Sequence, residues 1–203
     1  MGKIQKQYPI IISIAFIVMA SFLYFIHNKL FELLYQYLNV TCPVSGNVLV
    51  IEGWIEKEML VEAAQEFSKK KYSYCLLTGK ANSLTQTKEI LHKAGICIED
   101  IRHVAVANEV RHKTYHMALA ARNWLQQKDP SIKTVNVFTG GLHGRKTWAV
   151  FKRVFGKDYS IGIISSKAWY CDKHNWWKSK KGIRSIIKSI TGYIYGLLWP
   201  FGN

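Results

Sequence analysis

An uncharged stretch near the N-terminus constrains the fold of this chain more than any other feature. Residues 8–26 contain no Asp, Glu, Lys, Arg or His. As an α-helix this stretch would extend about 28 Å, close to the thickness of the hydrocarbon core of a bilayer. A cleavable signal peptide has a shorter apolar core followed by a small-x-small site, whereas here the apolar run continues through residues 22–26. The sequence therefore predicts a retained transmembrane signal anchor, and a buried core helix is the alternative.

Basic residues on both sides of this stretch bear on its orientation. Lys3 and Lys6 precede it, and His27 and Lys29 follow it. The positive-inside rule favours an N-terminus inside the cell, and long domains cross membranes largely regardless of their charge. We therefore expect a single-pass protein of the inner (plasma) membrane whose remaining domain is extracytoplasmic.

The cysteines do not decide the compartment. Cys42, Cys75, Cys97 and Cys171 form an even set without CxxC pairing or metal-site spacing. They permit disulfides outside the cytoplasm but do not require them.

Downstream of the anchor, short apolar runs alternate with amphipathic stretches. A helical pattern continues through residues 29–38, and turn residues at 42–47 end it. The predicted strands are 48–51, 74–78, 103–107, 134–139 and 160–164, and the predicted helices between them are 56–71, 84–94, 113–127 and 146–155. Such alternation implies right-handed βαβ units. We expect an α/β fold: a Rossmann-like, doubly wound, mainly parallel sheet of about five strands, with the N-terminal transmembrane helix and a C-terminal amphipathic helix.

This pattern divides the chain into five segments. They are a short tail (1–7), the anchor (8–26), an amphipathic connector (27–46), the Rossmann-like α/β domain (47–166) and a Trp/Lys-rich amphipathic segment (167–203). The part beyond the anchor suits a single domain.

The charge balance restricts the kinds of partner. Lys and Arg number 28 against 13 Asp and Glu, a formal net charge of +15. Such an excess favours an acidic partner, which would be phospholipid headgroups, a phosphorylated ligand or nucleic acid. Zinc-finger spacing, an aromatic ribonucleoprotein motif and a basic leucine zipper are all missing from the sequence, so nucleic acid is disfavoured.

Polar residues and glycines follow the predicted strands. In open parallel sheets, ligands bind beyond the carboxyl ends of the strands. The residues found there are Glu52 and Gly53, Thr78 and Gly79, Glu109 and Arg111, and finally Thr139, Gly140, Gly141, His143 and Arg145. Glycines allow backbone N–H groups to approach a ligand, and the start of the next helix carries a partial positive charge. We expect an anion-binding cleft at this edge, suited to a phosphate or a carboxylate.

Cations crowd the starts of two predicted helices. His143, Arg145 and Lys146 precede or open one helix, and residues 111–113 (RHK) open another. Cations at these positions oppose the helix dipole by about 0.3–1 kcal/mol each. An anion bound between the two helix starts would relieve that repulsion, with Arg111 and Arg145 as ligands. The alternative is a solvated basic face opposite acidic lipids.

Two carboxylates and one imidazole are candidates for catalysis. Glu52 and Glu109 lie at strand ends among cations, where catalytic acids and bases are commonly placed. Either one would serve equally as an ion-pair partner of an arginine. His143 would move a proton near neutral pH or donate a hydrogen bond to bound phosphate.

The sequence assigns no metal and no cofactor. His112 and His116 form one i, i+4 pair, but HExxH and a facial triad are missing from the sequence. There is also no GxGxxG after the first predicted strand, which disfavours a dinucleotide.

The C-terminal segment combines indoles, lysines and helical periodicity. Its aromatic residues Trp169, Tyr170, Trp176 and Trp177 interleave with Lys173, Lys178, Lys180 and Lys181, and isoleucines then recur at helical spacing over residues 182–198. This composition is typical of a helix at a membrane interface. The alternative is a terminal helix that closes the sheet. An interfacial position would favour a lipid-linked substrate.

The strand and loop of residues 135–145 (VNVFTGGLHGR) carry a family resemblance. A strand followed by Thr, two small residues, an apolar residue, His, any residue and Arg resembles the YdcF, SanA and ElyC-like envelope proteins of bacteria. Glu109 with Thr114 and Ala118 is similar to a second family motif, and residues 48–54 (VLVIEGW) resemble the opening strand of a membrane-anchored subgroup. The resemblance extends over residues 48–155.

The resemblance implies a Rossmann-like domain concerned with envelope integrity and with lipid-carrier or peptidoglycan metabolism. It also adds Thr114 to the ligand-binding residues and S-adenosylmethionine to the ligands of the family. Lys80, Met117 and Lys146 depart from the family pattern. The expected function is therefore binding of, or action on, a phosphate-bearing substrate, with polyprenyl-linked phosphate among the candidates. The alternative is a non-catalytic module for S-adenosylmethionine, a nucleotide or anionic lipid.

Overall fold

The chain alternates strands and helices after one long N-terminal helix. The computed structural model describes residues 8–70, 72–107, 111–168 and 170–199. Its helices are α1 (Tyr8–Leu38), α2 (Lys57–Lys69), α3 (Ala81–Lys93), α4 (Lys113–Lys128), α5 (Gly144–Phe155) and α6 (Lys180–Leu198), and its strands are β1 (Val48–Glu52), β2 (Tyr74–Lys80), β3 (Ile101–Val106), β4 (Thr134–Thr139) and β5 (Ser160–Ser165). Short 3-10 helices cover Ile98–Asp100, Gly141–His143 and Trp176–Lys178.

The five strands form one parallel sheet. Their order is β3-β2-β1-β4-β5, and each neighbouring pair is parallel. The chain winds outward from β1 to β3 and then returns to the other side of β1 to form β4 and β5. This order confirms the expected Rossmann-like, doubly wound α/β fold. The direction of winding reverses between β1 and β4, and their carboxyl ends mark the position where such sheets bind ligands.

Helices cover both faces of the sheet. Alternate residues of β1 point to opposite faces, so Val48 and Val50 pack against α4 and α5, whereas Leu49 and Ile51 pack against α2 and α3. All five residues of β1 are buried. Because both faces are covered, the central strands are continuously apolar and show no alternation in sequence.

The edge strand β3 differs from its prediction. It begins at Ile101, which pairs with Cys75 of β2, two residues before the predicted start. Arg102 and His103 are exposed, and among the described residues no strand pairs with β3 on its outer side. The sequence pattern did not show that Ile101 and Arg102 belong to the strand, which follows only from their register with β2.

Helix α1 is one continuous helix that is apolar enough to cross a membrane. Its apolar side chains from Ile14 to Ile26 are exposed on all sides, and an apolar helical segment is found at Ser13–Leu38. Its 31 residues correspond to about 46 Å, longer than a hydrocarbon core of about 30 Å. The last turns pack on the domain, with Tyr35 and Leu38 buried. This arrangement supports a single membrane anchor that extends directly into the folded domain.

The anchor reaches the domain at the carboxyl edge of the sheet. The Arg145 side chain, at the start of α5, donates a hydrogen bond from Nε to the carbonyl oxygen of Tyr37, at 2.9 Å. The chain after α1 then runs antiparallel to β5, where Cys42 pairs with Ile163. It continues to the amino end of β1. The carboxyl edge of the sheet is therefore the edge that lies toward the apolar part of α1.

Asn136 of β4 holds this linker in place. Its side-chain amide donates to the carbonyl oxygen of Val44 and accepts from the amide of Val44, both at 2.8 Å. Gly162 of β5 leaves the necessary space, because a Cβ there would lie 2.6 Å from the amide nitrogen of Val44 and would overlap Asn136.

We expect Gly162→Ala to destabilise the protein by about 3 kcal/mol, because neither the linker backbone nor Asn136 has room to withdraw. Urea unfolding of the full chain in detergent, followed by circular dichroism, measures this. Gly192→Ala is the matched control, since its Cβ would meet only the Lys146 side chain at 3.4 Å. That helical substitution should be neutral or stabilising by up to about 1 kcal/mol. Equal stability of the two variants would contradict the packing described for Gly162.

Candidate functional site

A buried glutamate marks the point where the winding of the sheet reverses. Glu52, at the carboxyl end of β1, is fully buried. Its Oε2 accepts hydrogen bonds from the hydroxyls of Thr139, at the end of β4, and of Thr147 in α5, the latter at 3.0 Å. Among the described residues, Oε1 has no hydrogen-bond partner. The network joins β1, β4 and α5 and leaves one carboxyl oxygen unsatisfied.

Burial raises the pKa of Glu52 above its usual range. The hydrogen bonds from Thr139 and Thr147 and the charge of Lys146 lower the pKa by less than burial raises it. The Trp54 side chain is close enough to lower it as well, but it makes no hydrogen bond of normal geometry with Oε1. A carboxylate without full compensation is costly in such a place, so the protonated form is favoured. Buried acids with unusual pKa values are frequent in functional sites and also occur in structural networks.

The glycine-rich loop after β4 packs closely against side chains. A Cβ on Gly140 would lie 3.0 Å from the indole of Trp54, and one on Gly141 would lie 2.8 Å from Cβ of Ala168. Gly141 also has φ near +41°, a value that few residues other than glycine adopt. Its amide donates to the Ser166 hydroxyl at 3.0 Å. These glycines therefore serve close packing, and the Gly141 amide is already bonded within the protein.

One cavity lies between this loop and helix α6, and we call it the α6 cavity. Its volume is about 260 Å³, and it is lined by Trp54, Glu56, Met59, Gly140, His143, Tyr170, Lys181, Ser185, Lys188 and Ser189. Residues from the carboxyl ends of β1 and β4 form one wall, and α6 forms the other. Two lysines and two serines of α6 therefore face His143 and the Trp54 indole.

His143 is neutral in this setting. Burial is the main cause that lowers its pKa to about 4, and the positive charges of Lys146 and Lys188 add to the effect. Its ring lies edge-on to Trp54, with centroids 4.9 Å apart. A neutral imidazole does not contribute the positive charge expected of it from the sequence, but it is still able to donate one hydrogen bond and accept another. The cations of the cavity are Lys181 and Lys188.

A second cavity lies on the other side of Trp54, and we call it the glycine cavity. It measures about 280 Å³ and is lined by Gly53, Trp54, Gly79, Lys80, Ser83, Val106, Ala107, Lys113 and Met117. Gly53 and Gly79 are in close contact, since a Cβ on Gly79 would lie 3.3 Å from Cα of Gly53. The backbones of β1 and β2 thus form a flat floor under mainly apolar walls. Two lysines supply the positive charge.

Arg145 does not reach either cavity. Its guanidinium carbon lies 4.1 Å from the centre of the Tyr37 ring and 5.5 Å from that of Trp148, and its Nε binds the Tyr37 carbonyl. A carbonyl at the end of α1 is unpaired within the helix and carries partial negative charge, so it attracts this cation. The expected convergence of Arg145 with His143 on a single hollow is therefore corrected: Arg145 binds the end of the anchor.

The other candidates divide between buried and peripheral positions. Thr78 is buried and donates to the carbonyl oxygen of Ile51 at 3.2 Å. Thr114 lines a separate cavity of about 200 Å³ with Lys113 and Lys146. Arg111 is exposed and lines none of these three cavities. Glu109 lies outside the described residues and remains a sequence prediction, as does Trp169.

Sequence reasoning missed several residues that the fold brings to these sites. Thr147 lies on the buried stripe of α5 with Val150, Phe151 and Val154. A threonine on an otherwise apolar stripe was the signal for a buried hydrogen-bond partner. Lys181 and Lys188 are seven positions apart, which places them on one helical face, but nothing in the sequence indicates that this face meets β1 and β4.

The C-terminal helix has features of both roles expected from the sequence. It packs against α5 and the loop after β4, with Gly182, Ile186, Ser189 and Gly196 buried. It also exposes apolar side chains, including Ile187 and Ile194.

Among the described residues, no group of three His, Cys, Asp or Glu side chains is placed to hold a metal ion. The four cysteines are unpaired.

Comparisons with known proteins find no relative: no family model, no curated protein and no solved structure matches this chain. The class of protein therefore follows from its own geometry. It is a Rossmann-like α/β domain with an N-terminal helix that is apolar enough to span a membrane, and lysine-lined cavities open at the carboxyl edge of its sheet.

We expect Glu52→Gln to alter the pH dependence of stability. A raised pKa means that the folded chain retains a proton that the unfolded chain releases, so Glu52 makes the wild type lose stability as pH rises above 4.5. Glutamine removes this loss. The free energy of unfolding of Glu52→Gln relative to wild type should therefore increase with pH from 4.5 towards neutrality.

Urea titrations of the full chain in detergent at several pH values measure this difference. Glu58→Gln, on the exposed face of α2, removes a negative charge without altering a buried network and should follow the wild-type profile. A Glu52→Gln profile parallel to wild type would contradict the protonated, buried state.

Proposed function

We propose that this chain is a membrane-anchored protein of the cell envelope, related to the YdcF, SanA and ElyC-like proteins, that binds a phosphate-bearing amphiphile. The observation that carries the proposal is the α6 cavity. There Lys181 and Lys188 of α6 face His143 and Gly140, at the position where doubly wound sheets bind ligands. Two ammonium groups, two hydroxyls and a neutral imidazole are suitable donors to a phosphate group.

The electrostatics of the cavity favour an anion. Lys188 and Lys146 both lower the pKa of His143, so their positive potential extends to the cavity wall. Glu56 is the one acidic side chain among the lining residues, and it lies at the exposed start of α2. A net charge of +15 on the whole chain adds a long-range attraction for anions.

The position of the cavity favours a ligand that is held in the membrane. The uncharged stretch of α1 ends at residue 26, and the helix reaches the carboxyl edge of the sheet at Leu38. Twelve helical residues correspond to about 18 Å, so the cavity stays within a short distance of the bilayer. A polyprenyl-linked phosphate could remain embedded by its chain while its headgroup enters the cavity.

The geometry favours binding over catalysis by Glu52. This glutamate is fully buried, is bonded to two threonines and does not line the α6 cavity. Because its side chain does not line the cavity, it is not placed to act as a base on a ligand there. Catalysis by Glu109 or His143 is a separate question, which measurements of turnover have to decide. An extracytoplasmic position of the domain is proposed from the basic residues that precede the anchor.

Lys188→Ala should weaken binding of farnesyl phosphate, a short polyprenyl phosphate, about tenfold. The loss of one charge-assisted contact costs about 1.5 kcal/mol, which corresponds to that factor. Microscale thermophoresis of the full chain in detergent measures the affinity. The matched control is Lys128→Ala, an exposed lysine at the far end of α4, which should leave affinity unchanged. Farnesol, which has no phosphate, should bind weakly to both variants and to wild type. Equal loss in both variants, or tight binding of farnesol, would disprove the proposal.

A second candidate function is a binding module for a nucleotide or S-adenosylmethionine. The glycine cavity favours it, because a flat floor of Gly53 and Gly79 with apolar walls suits a planar ring, and Lys80 and Lys113 would meet an anionic group. Ala107 is exposed at this cavity, so Ala107→Trp should block it without disturbing the core.

Thermal-shift measurements with S-adenosylmethionine and ATP distinguish the two functions. If the module is correct, either ligand should stabilise wild type and Lys188→Ala, but not Ala107→Trp. If neither ligand stabilises wild type, the second candidate is excluded. Turnover is tested separately by Glu109→Gln: a catalyst should lose turnover and retain binding, whereas a binding module has no turnover to lose.

A further inference from the structure

We propose that the exposed cations at the start of the C-terminal segment bind the anionic lipid headgroups of the leaflet from which α1 emerges. The juxtamembrane basic surface consists of Lys29 on α1 together with Lys173, Lys178, Lys180 and Arg184. This proposal goes beyond the proposed function, because none of these five residues lines the α6 cavity.

The segment that carries this surface is docked on α1 directly after the uncharged stretch. The indole nitrogen of Trp176 donates to the carbonyl oxygen of Phe31 at 3.1 Å. The Trp177 ring lies 5.2 Å from the Phe31 ring and 6.1 Å from that of His27, measured between centroids. His174 and Glu32 are joined at 2.7 Å. These contacts tie residues 174–177 to the turns of α1 that immediately follow residue 26.

The depth of these turns matches the headgroup layer. Residues 27–32 lie within about 9 Å of the end of the uncharged stretch, at a rise of about 1.5 Å per residue. The headgroup region of one leaflet is about 5–8 Å thick. Trp176 and Trp177 therefore lie at the level where indoles are enriched in membrane proteins. The lysines adjacent to them in the chain have the same access to lipid phosphates.

The charge of this region is strongly one-sided. Residues 167–188 contain seven Lys and Arg against one acidic residue, Asp172. The carboxylate of Asp172 is engaged by the His174 amide and the Asn175 side chain, both at 2.9 Å. Glu32 is engaged by His174 and Lys29. The nearby acids are thus used locally, and Lys178, Lys180 and Arg184 remain exposed.

Only the first half of α6 takes part in this surface. Beside Arg184 it exposes Ile183 and Ile187, the latter with 57% of its surface accessible, so apolar side chains accompany the cations. The second half runs along α5, where Gly196 packs on Val150 and Arg153 binds the carbonyl oxygen of Trp199. Helix α5 leads away from the carboxyl edge of the sheet and hence from the bilayer. One interpretation of the sequence pattern places the whole of α6 at the bilayer. The direction of its second half along α5 does not fit that interpretation.

Anionic lipid fits this surface better than nucleic acid does. Lys and Arg side chains are attracted to an anionic membrane surface, and that attraction requires proximity within about a Debye length. The anchor provides the proximity permanently, so no separate docking energy is needed. The surface would orient the domain on the bilayer, with the carboxyl edge of the sheet facing lipid.

The test uses the full chain in nanodiscs, in a background in which the exposed Cys42 and Cys97 are replaced by serine. An environment-sensitive dye on Ile187→Cys reports contact with lipid through quenching by headgroup-labelled lipid. Quenching should rise with phosphatidylglycerol content, and added salt should reduce the rise. The triple variant Lys178→Glu, Lys180→Glu, Arg184→Glu should show no rise, and the corresponding triple change to glutamine should show an intermediate one.

The matched control reverses Lys69, Lys88 and Lys93 on α2 and α3, which alters the net charge equally and should retain the wild-type response. The proposal is overturned if the Lys178/Lys180/Arg184 reversal responds like wild type, or if the control loses the response to the same extent. It is also overturned if duplex DNA quenches the dye in discs of phosphatidylcholine alone, since the surface would then be a nucleic-acid site. Lys188→Ala should weaken farnesyl phosphate binding but keep the lipid response. Failure of ligand binding in the α6 cavity and failure of lipid binding by the juxtamembrane basic surface are therefore distinguishable.

Discussion

The docking of the C-terminal segment on the last turns of α1 determines how the folded domain is held relative to the apolar helix. Phe31 packs against Trp176 and Trp177, and Arg145 binds the carbonyl oxygen of Tyr37. These contacts make the anchor a rigid extension of the domain rather than a flexible tether. Since they lie at the carboxyl edge of the sheet, the cavities at that edge are on the side from which the apolar part of α1 extends. The same docking positions the start of α6, which forms one wall of the α6 cavity.

Glu52 was a catalytic candidate from the sequence, but in the structure it is part of a buried hydrogen-bond network. Glu52, Thr139 and Thr147 tie the two strands at the reversal of winding to α5. Burial raises the pKa of Glu52, and its side chain lines none of the three cavities, so its contribution to a site is indirect. It supports the loop that carries Gly140 and His143. The cations that line the α6 cavity come instead from α6, which is distant in sequence from every strand except β5.

Much of the fold is readable from the residue pattern. The apolar runs at β1 and β4 identify strands covered on both faces, and the amphipathic stretches between the runs identify the helices that cover them. The start of β3 was not predicted, because Ile101 and Arg102 are placed in this edge strand only by their pairing with β2. The candidate site was predicted in part. Of the residues selected at strand ends, Gly140 and His143 line one cavity and Gly53 and Gly79 line another, and their role in binding stays a prediction. The position of Arg145 could not be assigned without knowing where α1 ends.

The linear pattern alone establishes an apolar segment of membrane-spanning length, a doubly wound α/β domain and an excess of positive charge, because these depend on periodicity and composition over short distances. Side-chain partners require three-dimensional contacts. Whether Arg145 meets a ligand or a helix end, whether His143 is charged, and which lysines line a cavity all depend on burial and on residues far apart in the chain. Electrostatic interactions are set by the distance between atoms and by access of water, and neither quantity is encoded in local spacing.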